Sequence, residues 1–286
     1  MNWLVLTLFA VIFRAFMGIS TKVVSNKIKV SSETQTVLFL IAGLIVSVLV
    51  SPFLGGIDID LAKVSLTAVA LVAIGQGVGN ILYFAAIKNL TNGTAQIAFS
   101  STLVFTTLMS LVFLDLKLSP INFVGIIILA LAILNVVNGK VEFHKRGVTL
   151  MILSGLSFSA FLLASSELSQ QVSAASYLVI AYVSSTSVVF AVKWRAIVAD
   201  ISEHKEKLIN TLHILFISAI PSVSYFVFTY WAYRSAPEPA KVAIILPAQI
   251  IPTVLLSYFL LKEKNHLFRK FISAILVIVA AVLIKI

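Results

Sequence analysis

An arginine stands at position 14, inside an apolar run that extends from Trp3 to Val24. A guanidinium at the centre of a bilayer costs about 2.5–3.5 kcal/mol even on insertion scales, so something must offset it. Two arrangements could: a polar cavity where the cation meets an anionic or carboxylate-bearing molecule, or an internal cage of carbonyls or a salt bridge. The 11 acidic residues fall in loops or at the ends of apolar runs, so none matches Arg14 in depth. Two further charges, Lys22 and Glu167, lie within about a turn of the end of an apolar run. They can snorkel toward headgroups or act as gates at the two mouths of a cavity.

Amides form the second group of candidates. Gln76 and Asn80 sit one turn apart within Gly75-Gln76-Gly77-Val78-Gly79-Asn80, and Gln96 and Gln249 stand alone in other apolar runs. Each can bind a substrate or serve as hydrogen-bonded glue between helices. The glycines are not a phosphate loop, because no strand precedes them; they permit close helix approach. Tyr225, Tyr230, Trp231 and Tyr233 could form an aromatic wall, with interfacial anchoring the alternative for Tyr233. Pro247 and Pro252 each free a carbonyl, so a kink is expected there.

Groups for covalent or metal chemistry are missing. There is no Gly-x-Ser-x-Gly elbow and no cysteine, and His144, His204, His213 and His266 are far apart in loops or near run ends. The expectation is a protein that is not an enzyme and holds no metal or cofactor.

The elements that position these residues follow from composition. Of 286 residues 60% are apolar and 11% charged, with a mean hydropathy of +1.07, against about 25% charge in an average soluble domain. The charges are bunched between long apolar runs, so the polar surface a soluble fold requires is missing. Spanning a bilayer core of about 30 Å takes roughly 20 apolar residues. Cutting at charges, Pro and Gly predicts ten spans: Trp3 to Val24, Thr34 to Phe53, Val64 to Lys88, Asn92 to Leu114, Pro120 to Asn138, Gly147 to Gln170, Ser176 to Trp194, Ile209 to Arg234, Pro239 to Leu261 and Leu267 to Ile284. The breaks carry turn chemistry, such as Thr91-Asn92-Gly93, Ser119-Pro120 and Pro237-Glu238-Pro239. The polar stretch between Trp194 and Asn210 predicts a short surface helix or loop. The first run lacks a basic leader and a small-residue cleavage site, which predicts a retained helix. A net charge of +10 spread over short juxtamembrane pairs suits anionic lipid headgroups and not nucleic acid.

The sequence also repeats itself. Tyr83-Phe84-Ala85-Ala86 returns as Tyr230-Trp231-Ala232-Tyr233, Phe113-Leu114-Asp115 as Leu261-Lys262-Glu263, and Ser20-Thr21-Lys22 as Ser165-Ser166-Glu167. The offset stays near 145–148 residues, dividing the chain into residues 1–144 and 145–286 with five spans in each half. Five is odd, so the second half enters the membrane upside down. The expected fold is an all-α polytopic membrane protein of ten transmembrane helices in two inverted five-helix repeats. Such a pair has two near-equivalent conformations around one central site.

With Phe13-Arg14-Ala15-Phe16-Met17-Gly18 running to Lys22, Tyr83-Phe84-Ala85-Ala86, and Leu260-Leu261-Lys262-Glu263 before the last span, the chain resembles the drug/metabolite transporter superfamily. It is most similar to the ten-helix branch made of two EamA domains. It departs from the family pattern in having Leu114-Asp115 and Lys262-Glu263 where an acid usually follows Gly. The resemblance implies a multi-pass protein of the cell membrane, with spans one, three, four, six, eight and nine around a cavity and five and ten at the periphery. It further implies a secondary transporter, an exporter or exchanger of small organic metabolites, amino acids or related solutes, by alternating access. Its partners would then be a small-molecule substrate and membrane lipids. Two alternatives stay open: a multidrug cation exporter, and a non-transporting lipid-binding or assembly protein. Small multidrug carriers, which the halves resemble, hold a carboxylate where this chain has Arg14, and a cation should find that unattractive.

Orientation has two opposed indications. Loops after odd-numbered spans hold fifteen of the 21 Lys and Arg, which places them in the cytoplasm and both termini outside. The resemblance implies both termini inside.

Overall fold

Helix starts in this chain are written by small polar residues. Asn2 Oδ1 accepts from the Leu4 N–H at 2.9 Å, and Ser31, Ser65 and Ser173 each accept at 3.2 Å from the N–H three residues on, the N-cap bond that satisfies a free donor of the first turn. In the computed structural model, which describes residues 2–60, 64–113, 119–137, 145–237, 242 and 245–285, these caps open α1 (Trp3–Lys27), α2 (Ser32–Val50), α3 (Leu66–Ile87) and α8 (Ala174–Ser235). The others are α4 (Asn92–Phe99), α5 (Thr102–Phe113), α6 (Pro120–Val137), α7 (Lys145–Gln171), α9 (Ile250–Leu260) and α10 (Leu267–Lys285). A 3-10 turn, Ser51–Leu54, ends α2 and hands the chain to Gly55 and Gly56 at φ 91° and 78°, a region where only Gly is unstrained. The described residues form helices and turns, with no strand among them.

Seven helices are long and apolar enough to cross a membrane, and two shorter apolar helices, Pro120–Val136 and Leu246–Leu260, accompany them. α8 is one 62-residue helix that breaks at His204 (φ −110°, ψ 15°). The stretch after Trp194, predicted as a short surface helix or loop, is mostly exposed helix, continuous with the limbs on either side of that break. Leu114, Asp115, Asn138, His144, Glu238 and Pro239 lie outside the described residues.

The faces are inverted relative to a water-soluble bundle. α1 exposes Leu4, Leu8, Ile12 and Phe16, one turn apart, and buries Thr7, Arg14 and Thr21. Large apolar side chains facing out, with the charge and hydroxyls kept among the buried residues, is the pattern of a chain whose solvent is hydrocarbon. Such helices gain nothing by hiding apolar surface from each other, so they associate through close packing. Gly75 of α3 lies so near α7 that a Cβ there would stand 2.8 Å from the Phe161 nitrogen and the Ser157 oxygen; Gly79 admits the Phe158 ring, Gly43 of α2 admits Tyr182 of α8, and Gly125 of α6 faces Ala280 and Ile284 of α10. α6 and α10 pack mainly on each other, with Asn122 Nδ2 donating to the Leu283 and Ile284 carbonyls at 3.0 and 3.2 Å.

Connections collect at two ends. At the basic end, the Ser31 N–H donates to Asp200 at 2.8 Å and Lys88 Nζ to the Val30 carbonyl at 2.8 Å. At the opposite end, the Ser65 N–H donates to Gln171 Oε1 at 2.8 Å, Ser176 Oγ to the Asp58 carbonyl at 2.6 Å, and Trp3 packs near Trp231 and Tyr233.

Gly75→Leu should therefore be among the most damaging surface-neutral changes in the chain. Overpacking against backbone atoms costs about 1–3 kcal/mol or more, and a fall in the melting temperature of detergent-solubilised protein is the expected readout. A Leu at Gly55 or Gly56 would instead meet open space, losing only what its positive φ costs.

Candidate functional site

Two interrupted helices meet at the centre of the molecule. α4 stops at Phe99 and α5 starts at Thr102; between them the Ser100 N–H is shared by the Gln96 and Ile97 carbonyls, both at 3.2 Å. No proline causes this. Ser100 Oγ donates to the Ile97 carbonyl at 2.5 Å and Thr102 Oγ1 to that of Phe99 at 2.7 Å, and such side-chain bonds compete with the helix ladder. At the matching place in the second half, Leu246–Gln249 forms a 3-10 turn around Pro247 before α9 begins. The irregularity sits at Pro247 and not at Pro252, which occupies the first turn of α9, where its missing N–H leaves no bond unmade.

Between these interruptions and α1, α7 and α8 lies a cavity of about 560 Å³. It extends from Arg14, midway along α1, to Ser169 and Gln170 in the last turn of α7 and Tyr233 in the last turn of α8. Arg14 is 9% exposed. Its Nη1 donates to Met17 Sδ at 3.0 Å, and its Cζ stands over the rings of Phe99 and Tyr225, 5.1 and 5.2 Å from their centroids. Among the described residues no carboxylate forms an ion pair with it. A thioether is a weak acceptor and each cation–π contact contributes about 0.5–2 kcal/mol, so the guanidinium keeps donors to offer.

Gln96 joins the wall, its Nε2 donating to the Tyr83 hydroxyl at 2.6 Å. Gly18 lets α1 lie against it, since a Cβ there would stand 3.0 Å from that nitrogen. Gln249 also lines the cavity, and its Oε1 is buried with no partner, as are the hydroxyls of Thr106 and Thr229. Tyr230 and Pro247 are part of the lining. The Tyr230 hydroxyl donates to the Val172 carbonyl at 3.0 Å and accepts from Arg234 at 2.9 Å.

Gln76, Asn80 and Trp231 are not brought to this cavity. Gln76 Oε1 accepts from Ser185 Oγ at 2.9 Å, joining α3 to α8, and Asn80 Nδ2 donates to the Gln76 carbonyl at 2.9 Å. Trp231 meets Phe228 edge-on at 6.0 Å and packs among Trp3 and Leu6. Residues not singled out from the sequence line it instead: Thr102, Thr106 and Ser110 on one face of α5, with Ser165, Ser166 and Ser169 on α7. Their signal was present as hydroxyls spaced four apart within an apolar span.

The basic end is pinned together by side-chain bonds. Lys22 Nζ donates to the Ile87 and Leu90 carbonyls at 2.6 and 2.7 Å, satisfying the C-terminal end of α3. Glu263 reaches the start of α4, its oxygens accepting from the Asn92 and Gly93 N–H groups at 2.7 and 3.3 Å, while Lys270 stands 3.7 Å from the same carboxylate. Glu167, the sequence counterpart of Lys22, lies exposed toward the other end, accepting from Gln171 at 3.4 Å. At the basic end Asp200 sits in the polar connection between the two apolar limbs of α8. Burial raises its carboxyl, but bonds from Thr34, Ser31 and the Ser31 N–H, with His204 beside it, hold it below the ordinary carboxylate range.

The model of the EamA-like transporter family matches residues 1–138 and again residues 145–286. Curated proteins offer no match. One solved structure, described only as a crystal structure of a protein, superposes with a TM-score of 0.60 over 98% of this chain and 96% of that chain at 16% identity. That likeness concerns the fold alone.

A carboxyl depressed by folding adds stability that is complete above its unfolded value, near about 3.9, and lost as pH falls through its lower folded value. Asp200→Ala should cost about 1.5–3 kcal/mol at neutral pH. Its melting temperature should converge on that of the wild type as the buffer is taken below pH 4, read by thermal melts at stepped pH.

Proposed function

The chain belongs to the EamA-like transporter family, and on that premise we propose that this multi-pass membrane protein is a secondary carrier of small organic metabolites. Its substrates bear a carboxylate or other anionic group and cross by alternating access. The observation that carries the reading is Arg14, a mid-membrane guanidinium facing a central cavity with donors to spare. Arg14, Gln96, Gln249 and Tyr230 then contact the substrate, and Lys22 and Glu167 serve opposite mouths. Gln76, Asn80 and Trp231 support the walls from behind.

Ten crossings in two inverted repeats, residues 1–144 and 145–286, supply the moving parts. Counting the limbs of α8 separately and adding the two shorter apolar helices to the seven long candidates brings the number to ten. The packing supports a two-fold relation. α1 lies on the second limb of α8 through Phe13 and Phe228, as α3 lies on α7 through Gly75 and Phe161. α2 with the first limb of α8, α4 with α9, and α6 with α10 are each a pair that such a rotation maps onto itself. The pinned end and the open end are then the two half-cycles of one mechanism. The surplus of Lys and Arg at the pinned end favours a cytoplasmic side for it, and the cavity is then in its outward-facing phase. A cation exporter is the weaker reading, because a cationic substrate would meet Arg14 with no carboxylate among the described lining.

Two measurements test this. Small organic carboxylates and amino acids, screened by thermal shift, should stabilise the wild type by mass action. Arg14→Ala should lose at least tenfold in apparent affinity, the equivalent of about 1.4 kcal/mol; unaltered affinity assigns Arg14 to an internal cage. The chain has no cysteine, so Ser169→Cys can be probed alone: an impermeant maleimide should label it in intact cells, and labelling only after permeabilisation would reverse the orientation.

A further inference from the structure

Among the described residues that line the cavity, Arg14 is the single Lys, Arg, Asp or Glu. The rest of the polar lining is neutral, with Gln249 Oε1 and the hydroxyls of Thr106 and Thr229 left unpartnered. While the cavity is open, water can solvate the guanidinium. To change sides the carrier must pass through a state closed at both ends, and there the contents of the cavity decide the cost. An empty carrier encloses a bare cation whose immediate partners are a thioether and two aromatic faces. A carrier holding a monoanion encloses a neutral pair. Burying an unpaired charge is far costlier than burying a paired one, so the loaded form crosses and the empty form stalls.

Building on the carrier reading above, we propose that this protein is an obligatory exchanger of organic monoanions, in which Arg14 forbids return of the empty site. Each turnover moves one anion in each direction, so no net charge crosses and no proton is required. A zwitterion is the poorer cargo. Its carboxylate pairs with Arg14 but its ammonium enters a cavity whose described lining has no carboxylate to receive it. The body of the anion meets Phe99, Phe161, Tyr177, Tyr225 and Phe226, a wall suited to an aromatic ring.

The test uses purified protein in liposomes loaded with radiolabelled phenylpyruvate, a fully ionised aromatic 2-oxo acid. Unlabelled phenylpyruvate outside should accelerate protein-dependent efflux at least tenfold, and potentials set with potassium and valinomycin should leave the accelerated rate unchanged. L-Phenylalanine outside should accelerate efflux at least fivefold less. Arg14→Gln should bring the ratio of exchange to net efflux close to one, whereas Arg14→Lys keeps the charge and should keep the ratio. Protein-dependent efflux that ignores the external anion overturns obligatory exchange and leaves the carrier standing. Equal acceleration by phenylalanine overturns the monoanion assignment. A wild-type ratio in folded Arg14→Gln removes Arg14 as the lock. Efflux no faster than from protein-free liposomes overturns carrier and exchange together.

Discussion

A permanent charge in hydrocarbon must be solvated by protein, water or cargo, and the centre of this molecule is arranged around that requirement. Arg14 is held midway along α1 between two aromatic faces and a thioether. Those contacts fix its direction better than they neutralise it. The helices around it are interrupted where they pass it, at Ser100 and Ser101 and again at Leu246–Gln249. Irregular backbone at membrane depth is tolerated where it lines a polar space. The cavity, the broken helices and the Arg14 cation are one solution to one solvation problem.

What surrounds this centre is assembled without a hydrophobic driving force. The glycines of α2, α3 and α6 bring backbones and rings into contact, and buried amides and hydroxyls tie helices across those contacts, as Gln76 does with Ser185. The two ends are held unequally. One carries the Lys22 and Glu263 bonds to the ends of α3 and α4, while the other leaves hydroxyls of α5 and α7 beside the cavity.

Most of the architecture was legible because it rests on length and period. Runs of about twenty apolar residues and a repeat near 145 residues locate the helices, and the inward placement of Arg14 follows from the cost of the alternative. The shortfalls have physical causes. A proline announces a break in sequence, but the break at Ser100 and Ser101 is accompanied only by backward bonds from Ser100 and Thr102, which depend on rotamers that sequence does not encode. Gln76 and Asn80 were candidates for the cavity because a buried amide looks the same whether it meets a substrate or a neighbouring helix. Only the position of Ser185 decides between them. Charge in the sequence signals the edge of a membrane and so divides α8, whereas the helix continues through that polar stretch with one break at His204.

The Glu263 cap also bears on how the molecule comes into being. α4 has eight residues, and its own Thr91 makes no capping bond; the acceptor for its first N–H groups comes from a carboxylate 171 and 170 positions downstream. Until residue 263 has been synthesised, that acceptor is not yet part of the chain. The first half completes a segment of its own secondary structure only when the second half has been threaded and docked, so nascent chains cut short before residue 263 would leave that turn open to whichever acceptor arrives first.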